Sequence, residues 1–210
     1  LLDIKDKVDL AKQWRNNYFT QNARFLFANV IDTSMSGFKP LGTPDVQNLS
    51  ASGDYYISNY ELKIWNEETS NTADRIGWEL TPAPTKHVYV KAVLICANQV
   101  QIELSDGTIN NFYHVSINLA RSTADFYIYK MVNGTGTELA REGVDLSADT
   151  PYTVEFLWDI ENGVLQAWRD GELKLSVVDT SLTNLNYLVF GQSSAGGYGA
   201  FRMPFIITWE

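Results

Sequence analysis

The sequence predicts an all-β chain folded as a sandwich or barrel, on three observations. Aromatic residues, which suit a half-buried pleated surface, are abundant: 6 Trp, 11 Tyr and 10 Phe among 210 residues. Lys is scarce while Asn, Ser and Thr are frequent. From Tyr55 onward, short runs of alternating apolar and polar residues follow one another with turn signals between them, the pattern of many short antiparallel strands.

In chain order, LLDIKDKVDLAKQWRNNYFTQ carries Ile4, Val8, Ala11, Trp14 and Tyr18 at helical spacing and predicts a short helix. RFLFANVI (24–31) is a nearly unbroken apolar run and reads as a buried strand. The segment after Thr33 is rich in Gly, Pro, Ser and Asn and reads as loop. Strands then follow at 55–66, 75–80, 87–97, 99–104, 111–119, 124–131, 137–142, 151–159, 164–169, 172–178, 185–191 and 199–209. This divides the chain into an arm (1–32), a loop-rich connection (33–54) and a sandwich (55–210).

Composition bounds the function. Hydrophobic residues make up 45% of the chain, enough for a sizeable core. The net charge of −9 argues against nucleic acid, whose binding needs basic surface, and against anionic membranes. No apolar run is long enough to span a bilayer. With neither a signal peptide nor an initiator Met, the expectation is a processed chain or an excised piece. The single cysteine, Cys96, falls on the apolar side of its strand and reads as an inert core thiol.

The stretch YTVEFLWDIENGVLQAWRDGELKLSV (152–177) poses the sharpest question, because Asp159 and Glu161 sit together beside Trp158. Alternation puts Tyr152, Val154, Phe156 and Trp158 on one side of the first strand. An Asp170-Gly171 turn places Trp168 opposite Leu173. An odd-length loop with a bulge at Gly163 would then set Trp158 opposite Trp168 and gather Leu173, Leu175 and Val177 on the same buried face. That register is the expected one, since a one-residue slip exposes groups worth about 1.5–3 kcal/mol each when buried. It leaves Asp159 on the polar face and Glu161 in a loop, so both read as solvated turn residues rather than as an acid/base pair on rigid elements.

This stretch, EFLW-DIENG-VLQAW-RDG-ELKLSV, resembles the late-sequence signature of the concanavalin A-like superfamily, which includes legume-type lectins, laminin G-like modules, laminarinase-type glucanases and alginate-type lyases. The strands KHVYVKAVLICA and DFYIYKM and the closing AFRMPFIITWE are compatible with it. The resemblance covers roughly residues 55–209 and implies a two-sheet antiparallel jelly-roll sandwich, a fold that carries many functions. The E-x-D-x-x-E and E-x-D-x-E spacings of the glucanases are absent, and the arginine strand and Tyr-Phe-Lys strand of the lyases are not matched. Members of the group often hold a structural Ca²⁺; Asp54, Glu67, Glu68 and Asp74 supply suitable oxygens, without a ligand-spacing motif. No other cofactor is implied.

Applied to the middle strands, alternation buries Val88, Val90, Ala92, Leu94 and Cys96, then Val100, Ile102 and Leu104, then Tyr113, Val115, Ile117 and Leu119, then Phe126 and Ile128. If these strands share one sheet, its outward face collects Tyr89, Lys91, Gln101, Glu103, His114, Asn118, Tyr127 and Tyr129. Rings, amides and a few charges suit sugar recognition, because rings stack on pyranose faces and amides bond hydroxyls. The same residues also suit any solvated sheet face. Asn48-Leu-Ser50 and Asn133-Gly-Thr135 match the glycosylation acceptor pattern. GQSSAGGYGAF (191–201) reads as a flexible loop, and Trp65 and Trp78 read as core aromatics before rim aromatics.

Three functions remain. The first is an extracellular carbohydrate-binding, lectin-like module for an oligo- or polysaccharide. The second is a structural or attachment subunit of a virion, appendage or surface layer, in which the arm docks on a neighbour and makes a homo-oligomer; against it stands the reading in which strand 24–31 completes its own sandwich. The third is a polysaccharide lyase with Tyr127 or Tyr129 as acid/base, His114 and Gln101 steadying a substrate carboxylate, and Lys91 neutralising charge.

Overall fold

The computed structural model describes residues 47–48, 54–58, 61–66, 74–120, 124–192 and 197–209. Within them run β1 (Gln47–Asn48), β2 (Asp54–Ser58), β3 (Glu61–Asn66), β4 (Asp74–Glu79), β5 (His87–Cys96), β6 (Gln99–Ser105), β7 (Phe112–Asn118), β8 (Asp125–Val132), β9 (Thr135–Gly143), β10 (Tyr152–Asp159), β11 (Val164–Arg169), β12 (Glu172–Val178), β13 (Tyr187–Gln192) and β14 (Gly197–Trp209). They form two seven-stranded antiparallel sheets. The first has the order β12-β11-β10-β5-β14-β3-β2 and the second β1-β4-β13-β6-β7-β8-β9. The expected helix and strand of the arm lie outside the described residues.

The strand expectations hold closely, with three differences, the first being the short β1, which lies within the 33–54 segment expected as loop and pairs with β4. The expected strand 55–66 is a hairpin, β2 paired to β3 with Ser58 opposite Glu61. The glycine-rich 191–201 segment is largely strand at its two ends, β13 running to Gln192 and β14 beginning at Gly197.

Between the sheets lies one core. Every residue predicted inward on β5 and β6 is buried there, as are Tyr113, Val115, Ile117, Phe126 and Ile128. Trp78 is fully buried with them and meets Phe190 edge-on at 5.4 Å. Burial at this scale excludes water from apolar surface worth about 25 cal/mol per Å², which is why the alternation is so strict. Cys96 is a buried free thiol, pushed up to about 12 by burial and by the nearby Asp149 charge.

The β10–β11 hairpin departs from the expected register. Trp158 pairs with Leu165, and Glu155 pairs with Trp168. Residues 160–163 form an even-length connection, so Trp158 points to the interior and Trp168 to the outer face of the first sheet. The expectation assumed that apolar groups left on the outer face would meet water. They do not: Trp168 packs with Tyr89, Leu157 and Val164 in a second buried cluster, with Leu173 and Val178 against it. The Asp170-Gly171 turn does place Trp168 opposite Leu173, with φ of 52° and 84° at its two residues. An irregularity between Ala167 and Trp168 then returns Leu175 and Val177 to the interior side.

Only Glu161 is a solvated turn residue as expected; Asp159 ends β10 and is buried, because it is bound by the connection that follows. Asp159 accepts from the Asn162 backbone N–H at 3.0 Å and from Asn162 Nδ2 at 2.9 Å, which fixes the connection, while Glu161 is exposed.

Candidate functional site

The eight residues expected on one face divide between two. Tyr89 and Lys91 belong to β5, which pairs with β10 and β14 in the first sheet. Tyr89 donates to Glu155 Oε2 at 2.6 Å, and Lys91 Nζ lies 3.5 Å from Glu155 Oε1. Only Ala97 and Asn98 separate β5 from β6, a length that suits a hairpin, yet the chain crosses there from one sheet to the other. Alternation reports which side of a strand is dry; it does not report which layer the strand joins. The lyase constellation is therefore not assembled, because Lys91 is on the opposite sheet from His114 and Gln101.

The other six share the outer face of the second sheet. Three antiparallel neighbours, β6, β7 and β8, set them in rows: Glu103–His114–Tyr129, then Gln101–Ser116–Tyr127, then Gln99–Asn118–Asp125. Central strands hold these side chains at cross-strand spacing and limit their motion.

This face is a closed polar layer. Glu103 is 0% exposed, Gln101 2%, Tyr127 3% and His114 6%, while Tyr129 is half-buried. Its members bond one another. Asn118 Nδ2 donates to Gln99 Oε1 at 3.0 Å, and Gln99 Nε2 donates to the Tyr127 hydroxyl at 2.9 Å. Gln101 Nε2 donates to Glu103 Oε2 at 3.1 Å.

Arg75 on β4 completes the layer. Its guanidinium forks onto Glu103 through Nη2 and Nε, and Nη2 reaches Ser105 Oγ at 3.1 Å and the Thr108 carbonyl at 2.9 Å. Gly191 of β13 sits in the row between Arg75 and Gln101, and with no side chain it leaves the guanidinium room to cross. Burial pushes the Glu103 carboxyl upward, and Arg75, Gln101 and Ser105 pull against that shift. Sequence reading passed over Arg75. The signal was present in DRIGWE, where a charge sits on the side opposite Ile76 and Trp78.

His114 is the centre of the face. Its ring stacks on Phe112 at 5.4 Å and on Tyr129 at 5.2 Å, and meets Tyr127 edge-on at 5.6 Å. Burial, reinforced by the Arg75 charge, lowers its pKa to about 3, so the ring is neutral at ordinary pH, one nitrogen a donor and the other an acceptor. Among the described residues neither nitrogen has a hydrogen-bond partner, and neither does Gln101 Oε1. Gly136 on β9 lets Tyr129 lie as it does, since a Cβ there would fall 1.6 Å from the Tyr129 hydroxyl oxygen.

Among the described residues no group of three or more His, Cys, Asp or Glu side chains is placed to hold a metal ion. Glu67 and Glu68 of the expected calcium set lie outside those residues.

No family model and no curated protein matches the sequence. Solved structures match the fold. The carbohydrate recognition domain of Emp46p, in its metal-free form, gives a TM-score of 0.62 at 8% identity over 87% of this chain and 94% of that one. A protein of unknown function with a galectin-like fold from Bacillus subtilis gives 0.61 at 13% over 88% and 96%. The carbohydrate-binding module CBM66 from Bacillus subtilis gives 0.58 at 12% over 77% and 94%. At these identities the likeness is one of fold.

Proposed function

We propose that this chain is a carbohydrate-binding, lectin-like β-sandwich of the concanavalin A-like group, acting outside the cell and meeting an oligo- or polysaccharide on the outer face of its second sheet. The observation that carries the reading is His114. A neutral imidazole with both nitrogens unpartnered, beside an unpartnered Gln101 carbonyl, is costly to bury, at about 1–3 kcal/mol per group. A sugar hydroxyl both donates and accepts, so hydroxyls satisfy all three atoms without bringing a charge into the layer.

The rings of Phe112, Tyr127 and Tyr129 around His114 supply apolar walls for the C–H faces of a pyranose. Tyr129, half-buried where the others are buried, is the ring that moves aside to admit the ligand. Two of the solved structures with this fold are described as carbohydrate-binding or carbohydrate-recognising, which supports the ligand class.

Calorimetric titration of the whole chain with a panel of neutral and acidic oligosaccharides tests the reading. Binding of at least one glycan is expected, with loss in His114→Phe, which keeps a flat ring in the stack. A panel with no binder, or a binder indifferent to His114→Phe, overturns it.

A further inference from the structure

At one end of the sandwich three loops line an open depression of about 280 Å³. They are the β6–β7 connection with Asp106 and Asn111, the β8–β9 turn with Val132 and Asn133, and the β12–β13 connection with Ser181, Leu182, Thr183, Asn184 and Leu185. We infer that this depression is a second binding site, for one neutral sugar ring or a comparable polyol. Only the choice of ligand class rests on the function proposed above.

The walls are fixed before any ligand arrives. Asp106 Oδ1 accepts from the Thr108 backbone N–H at 2.8 Å and its hydroxyl at 2.6 Å, and Oδ2 accepts from Asn111 Nδ2 at 2.8 Å. Asn111 Oδ1 in turn accepts from the Asn133 backbone N–H at 2.9 Å, and the Gly134 N–H donates to the Asn110 carbonyl at 3.0 Å, tying the first loop to the second. The third loop is pinned by Asp179, which accepts from the Tyr113 hydroxyl and from Lys130 Nζ, both at 2.6 Å, and from the Ser181 N–H at 2.9 Å. The Leu182 N–H donates to the Tyr113 hydroxyl at 3.1 Å. Arg75, reaching the Thr108 carbonyl, anchors the first loop to the buried layer of the second sheet. A site whose loops are already ordered loses little conformational entropy on binding.

What remains uncommitted defines the ligand. The side chains of Thr183, Asn184 and Asn133 are exposed on the rim and make no hydrogen bond among the described residues. They offer two amides and a hydroxyl, while Val132 and Leu182 add a smaller apolar part to a mainly polar lining. The charges are spent: three donors occupy Asp106, and Lys130 pairs with Asp179. Amide and hydroxyl groups beside a smaller apolar part, without a free charge, match a neutral ring that carries hydroxyls on its edge and C–H on its face.

The test is an amide-shift titration of the ¹⁵N-labelled chain with methyl glycosides of glucose, galactose and mannose, and with glucuronate as the charged probe. Shifts are expected for the backbone of residues 181–184 and for the side-chain amides of Asn133 and Asn184 with a neutral glycoside. They persist in His114→Phe and weaken about fivefold in Asn184→Ala and again in Thr183→Val, the loss of one neutral hydrogen bond each. Rim shifts that vanish in His114→Phe, that appear only with glucuronate, or that ignore both rim substitutions overturn the inference. If the rim stays silent while β7 responds, this site falls and the module reading stands. If both stay silent, both fall.

Discussion

The imidazole of His114 stacks on the ring of its cross-strand partner Tyr129 at 5.2 Å, with 20° between the planes, and among the described residues both imidazole nitrogens are without hydrogen-bond partners. A stacked neutral ring contributes packing, while its unmatched nitrogens cost free energy. His114→Phe keeps the first and removes the second. We therefore expect His114→Phe to fold as well as the parent, or better by about 1 kcal/mol, in urea unfolding while losing glycan binding. A variant that unfolds earlier would show that the nitrogens are satisfied in the folded protein.

The same residue sets a pH dependence. Its folded pKa of about 3 lies below the ordinary value of 6.5, so between those two pH values the unfolded chain binds one proton more than the folded chain. This contribution to stability is complete above pH 6.5 and falls as the pH drops toward 3, on the order of 1 kcal/mol per pH unit. Urea midpoints measured across that window should slope in the parent and be flatter in His114→Phe. Glycan binding itself should not change between pH 5 and 8, because the ring stays neutral throughout.

Gly136→Ala tests what holds Tyr129 in place. The new methyl group would overlap the Tyr129 hydroxyl and ring, so the ring must leave the stack or β9 must shift. Overpacking of this kind costs about 1–3 kcal/mol. Adding Tyr129→Ala should recover most of that loss relative to Tyr129→Ala alone, as a double-mutant cycle would read out. Equal penalties with and without Tyr129 would place the strain elsewhere.

Trp158 and Trp168, ten positions apart on one hairpin, face opposite sides of the first sheet. Trp158 belongs to the large core and touches Tyr113 at 5.9 Å, whereas Trp168 belongs to the small outer cluster. Trp158→Ala should cost about 3–5 kcal/mol, as large-to-small core substitutions do. Trp168→Ala should cost less, because its cluster is small and its site can collapse more readily. Thermal unfolding of the two variants side by side decides the order.

Asp179 gives an acid-end signature for the third loop. Burial pushes its carboxyl up, but hydrogen bonds from Lys130, Tyr113 and Ser181 outweigh that and hold it at about 2, below the ordinary 3.8. Its contribution is present above pH 4 and disappears as the pH falls through 2. Asp179→Asn should remove that part of the acid transition, followed by the amide signals of residues 181–184.

Strand parity was legible in the middle strands, because a pleated strand must send alternate side chains to opposite sides and one side of each of β5 to β8 is clearly the more apolar. That is why Val88, Val90, Ala92, Leu94 and Cys96, Val100, Ile102 and Leu104, and Tyr113, Val115 and Ile117 lie in the core as expected, and why Gln101, Glu103, His114, Asn118, Tyr127 and Tyr129 did fall on one face. Layer membership was decided only by the tertiary structure. A two-residue link at Ala97-Asn98 reads the same whether the chain folds back as a hairpin or crosses to the other sheet, so Tyr89 and Lys91 went to the wrong face. The hairpin register likewise depended on a partner invisible in local sequence: an outer apolar cluster gives Trp168 somewhere dry to go. The neutrality of His114 and its union with Arg75 and Glu103 came from burial, which neighbours distant in sequence create together.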